Sequence, residues 1–207
     1  MNTVMKKTKE NGRDRLIVSA LSLFCERGYH GVSVREICDH ASANPSLISF
    51  HFGGKEGLLE TIFEEININK FSEIENILND IENEVDFKLR ITMFFRAYVE
   101  YYLQNSEVVS LYLDQLEREH PCTIKLLPHT FEKLWTALVT FIQLAKEKNI
   151  IDQSLDSKVL AFSLWTPVSA SMRSKKSTSR ACQYSLQDPN FLDLLIKQIV
   201  NSIKLAA

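Results

Sequence analysis

The chain has 207 residues, 45% of them hydrophobic and 24% charged, with only 6 Gly and 5 Pro, which suits a packed helical core with a small head and excludes a fibrous or low-complexity protein. No apolar run reaches the length of about 18 residues that a membrane span needs, so none is expected. The formal charge of −2 and pI near 6.2 look wrong for a nucleic-acid binder until the charge is mapped along the chain.

The first predicted helix carries Leu16, Ile17, Ala20, Leu23 and Phe24 as an apolar stripe and stops at Gly28. Residues 33–52 then read as two short helices joined by a tight turn. Ser33 followed three residues later by Glu36 forms a capping box, and Val34, Ile37 and Ala41 give the helix behind it an apolar side. Asn44 and Pro45 mark the next start, because Asn satisfies free N–H groups and Pro is tolerated in the first helical position. Ile48 and Phe52, four apart, would hold this helix down and leave Ser46, Ser49 and Phe50 outward. A short second helix held across a first is a shape that the DNA major groove accepts.

The pattern stays helical to the end. A helix is expected from Leu58 to about Ile81, then over Phe87–Leu103, Val108–Glu119 (ended by Pro121), Leu126–Lys148, Leu155–Met172 and Phe191–Leu205. Residues 174–180, polar and basic, read as a connection. The last two helices carry Val159, Leu160, Phe162, Leu164, Trp165, Leu192, Leu195, Ile196, Ile199 and Ile203, more apolar surface than one small body must hide. A two-fold dimer would bury it.

Charge is divided along the chain. Residues 1–35 hold seven basic and three acidic side chains, a net +4, whereas residues 64–86 hold one and eight, a net −7. The basic charge sits at the head and the acidic charge beyond it, as a phosphate-binding head would require. The first ten residues include Lys6, Lys7 and Lys9 but no apolar core, so a signal peptide is not expected and a cytoplasmic location is. Cys25, Cys38, Cys122 and Cys182 lack CxxC spacing and are expected to be reduced thiols. Glu117 and His120 have the spacing of a di-metal helix motif, and His120, Cys122 and His129 could offer zinc ligands. Neither set has the companions such a site needs, so no metal and no cofactor are expected. Phosphate-loop, nucleophile-elbow and dinucleotide-binding motifs are lacking, which argues against an enzyme.

Four stretches occur in order between about Arg13 and Phe63: Ala20-Leu21-Ser22-Leu23-Phe24-Cys25-Glu26-Arg27-Gly28-Tyr29, Ser33-Val34-Arg35-Glu36-Ile37, His51-Phe52 and Lys55-Glu56-Gly57-Leu58-Leu59. Through them this part of the chain resembles the DNA-binding domain of TetR/AcrR-type transcriptional regulators. The junction His51-Phe52-Gly53-Gly54-Lys55-Glu56 is similar to that of a subgroup. The chain departs from the family at Ser42, where glycine is usual, and at Ser49 and Phe50, often an aromatic pair. Ser42 is therefore expected in a turn conformation that glycine takes more easily.

The resemblance implies an all-α protein with a three-helix helix-turn-helix head at 11–63, its reading unit at 33–52, and a helical effector-binding and dimerisation body at 64–207. It implies a homodimer formed through 155–173 and 191–205, bound to a palindromic double-stranded operator. The expected DNA contacts are Ser33, Arg35, Asn44, Pro45, Ser46, Leu47, Ser49, Phe50, His51 and Lys55. An effector cavity is implied in the body, and its candidate liners are Phe94, Tyr98, Tyr101, Tyr102, Tyr112, Phe131, Trp135 and Trp165, a set suited to a hydrophobic small molecule. The expected function is a repressor released from its operator by that effector. The alternative is a DNA-bound scaffold that holds a protein partner.

Overall fold

In the computed structural model, which describes residues 12–64, 68–173 and 188–205, regular structure is helical apart from one isolated antiparallel bridge between Ile151 and Leu205. The helices are α1 Gly12–Arg27, α2 Val34–Ala41, α3 Ser46–Phe52, α4 Lys55–Glu64, α5 Ile68–Glu75, α6 Glu84–Gln104, α7 Ser106–Glu117, α8 Pro121–Leu126, α9 Phe131–Glu147, α10 Ser157–Arg173 and α11 Pro189–Asn201, with a 3-10 turn at Leu127–His129. The expected connection at 174–180 and Cys182 lie outside the described residues. Two compact units emerge: Met1–Asn67 with Gln104–Leu126, and Ile68–Leu103 with Leu127–Ala207. This grouping brings α7 and α8 together with the head, whereas a boundary drawn at 63/64 from the sequence leaves them in the body.

In the first unit α1 buries Leu16, Ile17, Ala20 and Phe24, and Gly28 closes it with φ 75° and an N–H donated to the Phe24 carbonyl at 2.9 Å. The capping box of α2 is complete. Glu36 N–H donates to Ser33 Oγ at 3.2 Å, while the Glu36 carboxylate accepts from the Ser33 N–H and hydroxyl at 2.7 Å each. Ser42 ends α2 with φ 48° and ψ 50°, the left-handed turn expected of it. Leu58, Leu59, Ile62 and Phe63 of α4 and Val108, Val109, Leu111 and Tyr112 of α7 complete this core. The Phe63 ring meets Tyr112 edge-on at 5.5 Å, and Tyr112 donates to the Thr123 carbonyl at 3.2 Å.

The second unit is built on α6, which buries Phe87, Ile91, Phe94, Phe95, Tyr98, Val99, Tyr101 and Tyr102. Phe87 stacks on Phe141 of α9 at 5.5 Å. The expected helix through Ile81 stops at Glu75 instead. Beyond it the chain is pinned by side chains: Asp80 accepts from the Ile81 N–H at 2.9 Å, Arg90 donates to the Ile77 carbonyl at 3.1 Å, and Lys148 reaches Asp80 and, at 2.6 Å, the Ile81 carbonyl. Leu78 and Ile81 are buried here, so the apolar spacing continues through a turn and imitates a helix. The last helix likewise ends at Asn201, because Leu205 pairs with Ile151.

Pro121 opens α8 as well as following α7, and the reversal between them uses Glu119 at φ 55°. Pro167 lies within α10.

Candidate nucleic-acid interface

Helix α3 is only seven residues long, too short to persist alone, so its position depends on anchors at both ends. Ile48 and Phe52 are buried beneath it, as their spacing predicts. At its start Asn44 Oδ1 accepts from the Ser46 N–H and the Ser46 hydroxyl, each at 2.9 Å. Pro45 is already helical (φ −53°, ψ −30°), so Asn44 acts as the cap and Pro45 as the first helical residue. At its end Gly53 takes φ 71°, and its N–H returns to the Ser49 carbonyl at 3.1 Å. The turn into α4 also needs Gly57, since a Cβ there would lie 1.9 Å from the Phe52 carbonyl oxygen. Caps, anchors and close backbone approach therefore hold one face of α3 outward.

Asn44, Pro45, Ser46, Ser49, Phe50 and His51 are all exposed on this surface, and Phe50 stands out with 80% of its area accessible. Its ring touches His51 edge-on at 4.9 Å. Leu47 is half-buried toward the start of α1, where a Cβ on Gly12 would come within 3.3 Å of its Cδ1. Ser33 is exposed, but its hydroxyl is engaged in the capping box.

The basic side chains between residues 12 and 64 differ in availability. Arg13 pairs with Asp14 at 3.9 Å and lies over the Phe52 ring, Arg15 donates to the Ala41 carbonyl at 3.2 Å, and Arg27 pairs with Glu36 at 2.9 Å. Lys55 donates to the Tyr29 carbonyl at 2.6 Å and lies 4.2 Å over that ring. Desolvation lowers its pKa, opposed by the Glu36 charge. Lys55 thus ties α4 to the turn after α1. Among the described residues, Arg35 is exposed and has no such partner.

The candidate effector liners separate. Tyr98, Phe94 and Trp165 lie together in the second unit, with Tyr98 and Trp165 centroids 4.7 Å apart and Phe94 and Trp165 6.3 Å apart. Phe131 meets Tyr98 at 6.0 Å, and Phe71 joins Phe131 and Tyr101 at 5.6 and 5.0 Å. Tyr102 is buried and donates to the Met172 carbonyl at 3.0 Å, while Trp135 is half-buried on α9. Tyr112 belongs to the first unit. Phe71 and Phe95 enter this ring cluster although neither is among the candidate liners, because their helical spacing is the same as that of ordinary core. Gln115 was also missed. It is fully buried on α7, its Oε1 has no partner among the described residues, and a lone glutamine in an apolar stripe carries no distinguishing signal.

The expected interface residues on and after α10 and α11 differ in burial, and Leu160, Trp165 and Leu195 are half-buried. Leu164, Ile196, Ile199 and Ile203 are buried within the chain, whereas Val159 and Phe162 are 64% and 62% exposed. Leu194, not among the residues singled out, is 59% exposed.

The Cys25 and Cys122 thiols are poor nucleophiles. Desolvation, then the Glu107 charge, pushes Cys25 up to about 11, and desolvation, then the Glu60 charge, does the same for Cys122. Cys122 Sγ lies 3.0 Å from His120 Nδ1, and among the described residues no group of three or more metal-ligating side chains forms.

Residues 16–62 match the family model of bacterial regulatory proteins of the tetR family. A probable HTH-type transcriptional regulator, YttP of Bacillus subtilis (strain 168), is 36% identical over 76 residues, 37% of each chain. The HTH-type transcriptional repressor KstR2 of Mycolicibacterium smegmatis is 26% identical over 106 residues, 51% of this chain and 50% of that one. The matched stretches thus span half or less of these relatives' own lengths. Among solved structures, the ketosteroid transcriptional regulator KstR2 of Mycobacterium tuberculosis has a TM-score of 0.68 at 18% identity, covering 97% of this chain and 98% of that one. The TetR family regulator PfmR of Thermus thermophilus has a TM-score of 0.70 at 17% identity, covering 91% and 98%. The capped, outward-facing α3 lies inside the segment, residues 16–62, that is similar to the tetR family of bacterial regulatory proteins.

Proposed function

We propose that this protein is a dimeric, DNA-binding transcriptional repressor that leaves a palindromic operator when a hydrophobic small molecule binds its second unit. In this reading it is a regulator and not an enzyme, in keeping with the match of residues 16–62 to a family of regulatory proteins. The observation that carries the reading is the exposed face from Asn44 to His51, held out by buried Ile48 and Phe52 and by close turns at either end. In this reading α3 enters the major groove. Arg35, free of partners among the described residues, takes a phosphate together with His51, and Lys55 and Ser33 set the helices that present them.

Dimerisation through α10 and α11 is supported by Val159, Phe162 and Leu194, large apolar side chains left in water by the single chain. An effector site among Phe94, Tyr98, Tyr101, Phe131 and Trp165 is supported by the concentration of rings in the second unit. The relative named a repressor supports the direction of control. No described helix is long and apolar enough to cross a membrane, and a cytoplasmic place beside the chromosome fits the proposed role.

A second reading, a DNA-bound scaffold for a protein partner, draws on α6, where Val85, Leu89 and Met93 recur at four-residue spacing and are exposed. A gel shift with the DNA upstream of the protein's own coding sequence, repeated over a panel of hydrophobic compounds, tests both. Release by a compound supports the effector-responsive repressor, whereas retention under every compound favours the scaffold. Failure to bind at low salt refutes both. Arg35→Ala should lower affinity for all sequences and flatten the salt dependence by roughly one unit per protomer.

A further inference from the structure

Resting on the DNA-binding reading, we infer that α3 recognises its half-site by apolar contact between Phe50 and a thymine 5-methyl group, so that the operator carries an obligatory A·T pair opposite this ring. The inference comes from what the reading surface lacks. Residues 44–52 contain no Arg, Lys, Gln, Asp or Glu. The side chains that pair guanine through O6 and N7, adenine as Gln, or cytosine as a carboxylate are therefore missing from α3 and its cap.

Asn44 does not fill the gap. Bidentate pairing with adenine needs its Oδ1 to accept from the adenine amino group, but that oxygen already accepts from both the Ser46 N–H and the Ser46 hydroxyl at 2.9 Å. Asn44 retains its Nδ2 donors, and Ser46 has committed its hydroxyl proton inward. Ile48 and Phe52 are buried, and Leu47 is half-buried. The largest group offered outward is thus the Phe50 ring, 80% exposed and braced edge-on by His51 at 4.9 Å. An exposed apolar ring on a protein surface is ordinary by itself. On a helix face where the Asn44 oxygen and the Ser46 hydroxyl are committed to capping, it meets a groove in which the thymine methyl is the apolar base mark.

The test uses the full-length protein and a random duplex library. Selected half-sites are resynthesised with deoxyuridine replacing thymidine one position at a time, which removes only the methyl group. One position per half-site should weaken binding about fourfold, the worth of one buried methyl-sized group, and both half-sites together by roughly tenfold or more. Phe50→Ala should bind thymidine and deoxyuridine duplexes equally, while Phe50→Leu, which keeps an apolar tip, should retain discrimination. If duplexes are selected but uracil is tolerated everywhere, or if Phe50→Ala still discriminates at the same position, the methyl contact is overturned and the DNA-binding reading stands. If no duplex is selected even at low salt, that reading fails, and this inference with it.

Discussion

Helices α3 and α6 use aromatic residues in opposite ways. On α3, Phe50 is left in water and only Ile48 and Phe52 are buried, whereas α6, three times as long, buries Phe94, Phe95, Tyr98, Tyr101 and Tyr102 along with three other residues. The short helix is held by its ends: the Asn44 cap, Gly53 in the left-handed region and the close approach at Gly57. The long one is held by its side, through rings that pack on one another. A presenting element must keep its outward face free of packing, so its stability has to come from caps and turns. A core element has no such constraint and can be stabilised by burial alone.

This contrast can be broken in order of expected effect. Phe94→Ala should be most damaging, costing about 3–5 kcal/mol through lost burial and the cavity left behind, and it would be read by chemical denaturation. A loss no larger than that of a surface substitution would mean that the ring cluster is not core. Gly57→Ala should cost about 1–3 kcal/mol, because its Cβ collides with the Phe52 carbonyl, and DNA affinity should fall with it as α3 and α4 lose their angle. Full affinity in a stable Gly57→Ala protein would show that the turn does not position α3.

Ser33→Ala should cost about 1 kcal/mol as the cap of α2 is lost. The same box makes a pH prediction. The Ser33 N–H, the Ser33 hydroxyl and Arg27 hold the Glu36 carboxylate at about 2, below its ordinary 4.5. Its folded pKa is depressed, so its stabilisation is complete above pH 4.5 and fades as the pH falls toward 2. Glu36→Gln should remove this part of the acid dependence, as measured by thermal denaturation across that range. A wild-type and Glu36→Gln difference that stays constant with pH would contradict it. The smallest effect is a gain: Ser42→Gly should stabilise by about 0.5–1 kcal/mol, since Ser42 sits at φ 48° where glycine is unstrained. Lower stability would show that the Ser42 side chain contributes more than its backbone conformation costs.

The head was legible because its determinants are local. The Ser33–Glu36 box, Asn44-Pro45, Gly28 and the Ile48–Phe52 pair each act within a few residues, and each is found where its spacing predicts. The body was legible only as helix and apolar periodicity. That signal ran through the turn at 76–83, where buried Leu78 and Ile81 keep the helical rhythm without the helix, and past Asn201 to Leu205. It also failed to separate Tyr112, in the first unit, from the rings of the second, since periodicity reports that a face is buried but not against what.

By itself, then, the sequence determined the helical class, the helix-turn-helix unit and which face of α3 is outward, because caps, turns and i, i+4 spacing are properties of neighbours in the chain. Only the tertiary structure decided that α7 and α8 group with the head, that Lys55 is engaged by Tyr29 while Arg35 has no such partner among the described residues, and that Val159, Phe162 and Leu194 remain exposed when Leu164, Ile196 and Ile199 are buried. Those outcomes depend on which distant side chains share a contact, and spacing along a chain carries no record of that.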